Sequence, residues 1–267
     1  MKVYISVDME GIGCIVKADQ TRKGSPEYGE ARYLLIKEVN AAVDGAFDGG
    51  ADEVIVADMH STGFNFPLEE LHEDAEFVFG SNANTRLPFL DNTTDIAFLV
   101  GYHGMSGTQA AVLDHTYSSV GVSKMVINGN ELGEIGIDAL RCGYYDVPVA
   151  LVTGDDKACE EAQRCLGKIE TAVVKFGISR LGAMCYAPKK SREIVRAAAC
   201  NAVKRAISQP KSYAPYKLTA PYSIEIEYKS TSDADEIYAN GVDTIRVGPR
   251  TIIFKTETVL DIFITMP

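Results

Sequence analysis

Strands alternating with helices predict an α/β fold: a mainly parallel sheet flanked by helices, with a smaller α+β C-terminal part. Three observations carry that expectation. Short β-branched and apolar runs recur at residues 2–7, 53–57, 95–101, 147–153 and 171–175. Helical periodicity separates several of them, at 27–47, 134–142 and 155–166. Beyond about residue 176 the alternation stops. The expected division is therefore an α/β part at 1–175, carrying the candidate chemistry, and a smaller α+β part at 176–267.

Each element has its own local reason. Residues 2–7 alternate and are β-branched, as a strand requires. The following loop is rich in glycine, with Gly11, Gly13 and Gly24. Ala31, Leu34, Leu35, Val39, Ala42, Val43 and Ala46 recur at helical spacing, and Gly49-Gly50 is a stop signal. Residues 53–57 form a short apolar run typical of a buried strand; 76–79 is a weaker strand and 95–101 a strong one. Between 117 and 132, Asn128-Gly129 lies between β-type runs. Both residues tolerate the positive φ of a two-residue hairpin turn, so a hairpin is expected there. A helix (134–142), a strand (147–153), a helix (155–166) and a strand (171–175) follow. A long helix at 189–207 leads into a segment spaced by Pro210, Pro215 and Pro221. Strands at 223–228, 244–247 and 251–255 and a last helix near 258–265 complete the reading.

Composition narrows the functional classes. Apolar residues make up 46% of the 267 and charged residues 24%, the balance of a protein with a core. Lys plus Arg number 26 against 37 for Asp plus Glu, a formal net charge of −11. Nucleic-acid partners and anionic membranes both call for a basic face, so neither is expected. No apolar run reaches the roughly 18 residues of a membrane-spanning helix. The opening residues read as a strand and not as a signal peptide. The six cysteines, at 14, 142, 159, 165, 185 and 200, form no CxxC pair. They read as reduced thiols of a cytoplasmic protein.

The rare residues fall in informative places. Three of the four histidines sit just beyond expected strands or in adjoining loops: His60, His103 and His115. The first strand runs into Asp8-Met9-Glu10. In an open α/β sheet, ligands bind outside the carboxyl ends of the strands. Three strands thus deliver Asp8 and Glu10, Asp58 and His60, and His103 to one rim. If the first strand persists, Asp8 and Glu10 point to the same face. Two adjacent carboxylates repel unless a cation or a proton intervenes. Added imidazoles complete the mixed nitrogen and oxygen set that a divalent metal such as zinc accepts. Asp8, on the shorter stem, is the natural bridge if two ions bind. Glu131 and Glu134 are both placed to add a carboxylate, and spacing does not choose between them. Taken singly, an acid after a strand usually caps a helix, and a lone loop histidine such as His115 is usually structural. His72, on a polar helical stretch, reads as a surface residue.

At these same residues the sequence resembles a known family. The segments Ser6-Val7-Asp8-Met9-Glu10-Gly11, Asp58-Met59-His60-Ser61, Gly101-Tyr102-His103, Asp114-His115 and Gly133-Glu134-Ile135-Gly136 look like motifs of the zinc-dependent D-aminopeptidases of the dipeptide-operon type. Gly143-Tyr144-Tyr145-Asp146-Val147-Pro148-Val149, Gly154-Asp155-Asp156 and the segment 175–180 are similar as well. The likeness runs in order through most of residues 1–186 and is looser beyond. It implies two zinc ions held by Asp8, Glu10, His60, His103 and Glu134, with Asp8 bridging. It implies that His115 is catalytic, close to the metals but not on them. It implies a self-compartmentalising ring of identical subunits whose sites face an internal channel. The expected function is hydrolysis of short peptides bearing an N-terminal D-amino acid, through a metal-bridging hydroxide. A phosphoesterase or other amidohydrolase is the alternative within enzymes, and a non-catalytic binding or scaffold ring the alternative outside them.

Overall fold

The computed structural model describes residues 1–80, 86–239 and 243–265. In chain order the elements are β1 (Lys2–Val7), α1 (Ala18–Thr21), α2 (Tyr28–Gly49), β2 (Glu53–Asp58), β3 (Glu76–Val78), β4 (Ile96–Tyr102), β5 (Val122–Ile127) and β6 (Asn130–Glu131). There follow α3 (Glu134–Tyr144), β7 (Val149–Asp155), α4 (Asp156–Leu166), β8 (Glu170–Ser179), β9 (Gly182–Cys185) and α5 (Pro188–Ser208). The chain closes with β10 (Tyr222–Tyr228), α6 (Thr231–Ala239), β11 (Thr244–Arg246), β12 (Thr251–Thr256) and a 3₁₀ helix at Val259–Thr265.

The first sheet has the order β3-β2-β1-β4-β7-β8-β9. All its pairs are parallel except β8 with β9. β1, β2, β4 and β7 are buried nearly throughout, which is why they read as continuous apolar runs. α2 packs on α5, α3 on α4, and these helices lie against the sheet. The chain runs outward from β1 to β2 and β3, then returns to place β4 on the other side of β1. That reversal makes a topological switch point, and a crevice opens beyond the carboxyl ends of β1 and β4.

The second sheet, β11-β12-β10-β5-β6, is antiparallel. The hairpin expected at Asn128-Gly129 is present, with φ of 49° and 80°, and joins β5 to β6. Two features cut across the division expected at residue 175. This hairpin supplies two strands of the second sheet, and α5 packs on α2 beside the first. α3 serves both cores: Ile135, Ala139 and Cys142 lie in the larger apolar cluster, Ile137 and Leu140 in the smaller. Nor does the strand expected at 171–175 stop there. It continues to Ser179 and turns back through β9, which a search for isolated apolar runs passes over. No helix among the described residues is long and apolar enough to cross a membrane.

Candidate metal centre

β1 ends at Val7, so strand alternation does not align Asp8 with Glu10. A turn laid across the end of β4 does. Asp8 N–H donates to Val100 O at 2.9 Å, and Gly11 N–H to Gly101 O at 2.7 Å. A Cβ on Gly11 would lie 1.9 Å from Tyr102 O, and one on Gly101, at φ +75°, 2.2 Å from Asp8 O. The two backbones approach this closely because glycine occupies both positions. Lys175, fully buried on β8, holds the turn in place. Its Nζ donates to the carbonyls of Glu10 (2.5 Å), Ile12 (2.9 Å) and Ile15 (2.5 Å). Burial pushes this ammonium down to about 8.

His60 follows β2. Asp58, expected at the rim with it, braces its loop instead, accepting Asn65 N–H at 2.6 Å and Asn65 Nδ2 at 2.9 Å. Asn65 Nδ2 also donates to His60 O at 2.8 Å. His103 follows β4, and the loop beyond it carries His115 back over the crevice. Arg180 Nη1 on Asp114 Oδ1 (2.6 Å) and Val112 N–H on Asp155 Oδ2 (2.7 Å) tie that loop down. The rings of His103 and His115 stack at 3.9 Å. Glu134 opens α3 and is buried, whereas Glu131 is exposed on β6 with Lys124 Nζ at 3.7 Å. The fold therefore brings together Asp8, Glu10, His60, His103, His115 and Glu134, and leaves Glu131 outside. His72 departs from its surface reading: only 16% of its side chain is exposed, between Asp44 Oδ1 at 3.3 Å and the Phe47 ring.

Hydrogen bonds set the direction of each imidazole. His60 Nε2–H donates to Thr21 O (2.9 Å), His103 Nδ1–H to Gly104 O (3.0 Å) and His115 Nδ1–H to Leu113 O (2.8 Å). The second nitrogen of each ring then faces carboxylate. His60 Nδ1 is 3.1 Å from both Asp8 Oδ1 and Glu10 Oε2. His103 Nε2 is 3.2 Å from both Asp8 Oδ2 and Glu134 Oε1, and His115 Nε2 is 3.6 Å from Glu134 Oε1.

These donors fit a metal. A neutral imidazole aims a lone pair at each carboxylate, an arrangement that needs a proton or a cation between. Asp8 Oδ2, Glu10 Oε2 and His103 Nε2 are buried with no hydrogen-bond partner. Two ligands on one tetrahedral zinc are about 3.3 Å apart, close to the spacings seen. Carbonyls behind the ring N–H groups are the usual supports of metal-binding histidines. Asp8, Glu10 and His103 can converge on one ion, as can His103, His115 and Glu134.

The electrostatics are strong because the cluster is buried. Burial opposes charge on His60 and His103. The carboxylates outweigh it and hold both imidazoles well above their usual range: Glu10 and Asp8 at His60, Glu134 and Asp8 at His103. Burial would raise the Asp8 carboxyl, yet His103 and His60 hold it well below the usual range. Glu134 falls to about 2, as His103 and His115 overcome the same burial.

A ring of supporting residues escaped the sequence reading. Arg86, Tyr102, Tyr117 and Asp138 lie behind Glu134 in one hydrogen-bonded group. Asp138 carried a signal, standing one helical turn after Glu134. Arg86, in a loop without pattern, carried none.

The whole chain, residues 1–267, matches the family model described as D-aminopeptidase. A D-aminopeptidase of Bacillus subtilis (strain 168) is 32% identical over 269 residues, spanning 100% of this chain and 95% of that protein. Among solved structures, the Zn-dependent D-aminopeptidase DppA from Bacillus subtilis, described as a self-compartmentalizing protease, superposes with a TM-score of 0.92. It is 31% identical, with 99% of this chain and 95% of that one covered. Matched over its full length in sequence and in fold, this chain belongs to the D-aminopeptidase family.

Proposed function

We propose that this chain is a dinuclear zinc aminopeptidase that removes an N-terminal D-amino acid from short peptides. One observation carries the two-metal reading: Asp8 turns one carboxylate oxygen toward each of two donor sets. Oδ1 faces His60, whose Nδ1 also meets Glu10; Oδ2 faces His103, whose Nε2 also meets Glu134. Asp8 would then be shared between the sets, with His60 and Glu10 to hold one ion and His103 and Glu134 to hold the other. Three carboxylates offset three of the four positive charges of two divalent ions, which suits a buried site. When bound, the ions polarise the scissile carbonyl and lower the pKa of water toward neutrality.

The protein supplies orientation and a proton carrier. His115 is fixed by its Nδ1–H bond to Leu113 O and by its stack on His103, so Nε2 points at the site. From there it can take a proton from water and return it to the leaving amine. The net charge of −11 draws the free amino group of a peptide toward the protein. A phosphoesterase would offer a cation to phosphate oxygens. Arg86, which touches Glu134, is committed to Asp138, Glu134 and Met59 O. The names of the Zn-dependent D-aminopeptidase relatives support zinc dependence and D-specificity, and the self-compartmentalizing description of one of them supports our reading of a ring-like homo-oligomer. Exposed Ile178, Leu181 and Met184 around the β8–β9 turn offer apolar surface for such self-association. Six free thiols suit the cytoplasm.

Turnover of a D-aminoacyl amide, an L-aminoacyl amide and an aryl phosphate, with and without zinc, tests the activity. Zinc-dependent cleavage of the D-aminoacyl amide is expected. Preference for the phosphate or the L-amide overturns the reading. Metal analysis should find two zinc ions per chain, both lost in Asp8→Ala; full metal in that variant removes the bridge.

A further inference from the structure

We infer that Arg86 and Asp138 form a positioning pair that sets the rotation of the Glu134 carboxylate and so tunes the metal donor set it belongs to. The inference rests on the two-zinc reading above.

A glutamate side chain ends in a soft torsion, and its carboxylate turns easily unless both oxygens are held. Both are held here. Glu134 Oε1 accepts the Tyr117 N–H at 2.8 Å, and Oε2 lies 3.4 Å from Arg86 Nη2. That leaves Oε1 facing His103 and His115. Arg86 is in turn locked by Asp138, with Nε on Oδ1 at 2.9 Å and Nη2 on Oδ2 at 2.6 Å. A two-point pair of this kind fixes the plane of the guanidinium as well as its position. The guanidinium also lies 4.9 Å over the Tyr117 ring, and Nη1 reaches Met59 O at 3.3 Å.

Asp138 cannot serve as a ligand itself. It is fully buried, and it accepts the Tyr102 hydroxyl at 2.5 Å and the Tyr117 hydroxyl at 3.3 Å in addition to Arg86. Standing one turn after Glu134 on α3, it shares that residue's face. Without Arg86 the two buried carboxylates would face each other uncompensated, and Glu134 would swing to separate them. Among the described residues, neither Asp8 nor Glu10 pairs with Arg86 or Asp138, so the effect falls chiefly on the Glu134 set.

Supporting residues behind a metal ligand typically change metal affinity 10–100-fold. The experiment is a zinc titration of metal-stripped full-length protein against a competing chelator. Wild type, Glu134→Gln, Arg86→Met, Arg86→Lys and Asp138→Asn are compared, with circular dichroism and thermal unfolding as checks on folding. Glu134→Gln identifies the zinc equivalent that depends on Glu134. Arg86→Met and Asp138→Asn should weaken that same equivalent 10–100-fold and leave any other within about threefold. Arg86→Lys, which keeps charge but loses the fork, should fall between wild type and Arg86→Met. Should Arg86→Met fail to fold, the nearly isosteric Asp138→Asn decides. Unchanged affinities, or, where two equivalents bind, equal weakening of both, overturn the inference. A wild type that binds one zinc overturns the dinuclear reading alone, because the comparison with Glu134→Gln still decides the role of the pair.

Discussion

Glu38→Gln should stabilise this protein at pH 8 and barely affect it at pH 5. Glu38 projects from α2 beneath the turn that follows Glu10, with 3% of the residue exposed. Its Oε2 accepts the Gly13 N–H at 3.2 Å, and its Oε1 has no hydrogen-bond partner. Burial lifts the carboxyl from 4.5 to about 7, against the opposing pull of the Gly13 N–H and of Lys175 and Arg192. A raised folded pKa means that the native state binds this proton more tightly than the unfolded chain. Between pH 4.5 and 7 the native state holds the extra proton, so stability falls as pH rises through that window. A difference of about 2.5 in pKa, at about 1.4 kcal/mol for each, amounts to about 3 kcal/mol lost by pH 8. Glutamine keeps an oxygen for Gly13 and carries no charge. The Ser191 hydroxyl, buried beside Gly13 and unpartnered, can accept from its amide. The expected gain is about 3 kcal/mol at pH 8 and under about 1 kcal/mol at pH 5. Urea unfolding of both proteins at both pH values, with slopes compared, measures it. An equal effect at the two pH values, or a loss at pH 8, would refute the reasoning.

His115→Ala should keep its zinc and its assembly while losing turnover by about 10²–10⁴-fold. Parallel loss of zinc would make His115 a ligand, and full turnover would make it structural. Glu134→Gln should weaken zinc binding, whereas Glu131→Gln, a change on an exposed strand, should bind zinc like wild type in the same titration; the reverse pattern would exchange their roles. Sedimentation at micromolar concentration should show a closed homo-oligomer, the usual outcome for identical self-associating chains. A species of 29.0 kDa alone would rule that out.

Most of the order of elements was legible in the chain alone, α1, β9 and α6 apart, and so were the candidate residues that the fold brings together. Buried parallel strands must be apolar on both faces, so β1, β2, β4 and β7 announce themselves as runs. The type I′ turn admits few residue pairs, so Asn128-Gly129 marked its hairpin. Asp8, Glu10, His60 and His103 stood out as candidate ligands because polar groups leave the ends of buried strands, where the apolar pattern breaks. Tertiary structure decided everything that depends on contact between distant segments. Asp8 and Glu10 converge through a turn on β4, permitted by the absence of a Cβ at Gly11 and Gly101 and held by Lys175 from about 160 residues away. Asp58 ends β2 and Asp8 follows β1, yet Asn65 claims the first, and the second is left with an oxygen that no hydrogen bond satisfies. Glu134 and Glu131 differ in burial, which spacing does not encode. Arg86 reached Glu134 across 48 residues from a loop without periodicity. Local pattern records what a residue needs from its neighbours in the chain, whereas hydrogen bonding and burial of charge are settled only when the folded backbone chooses the partners.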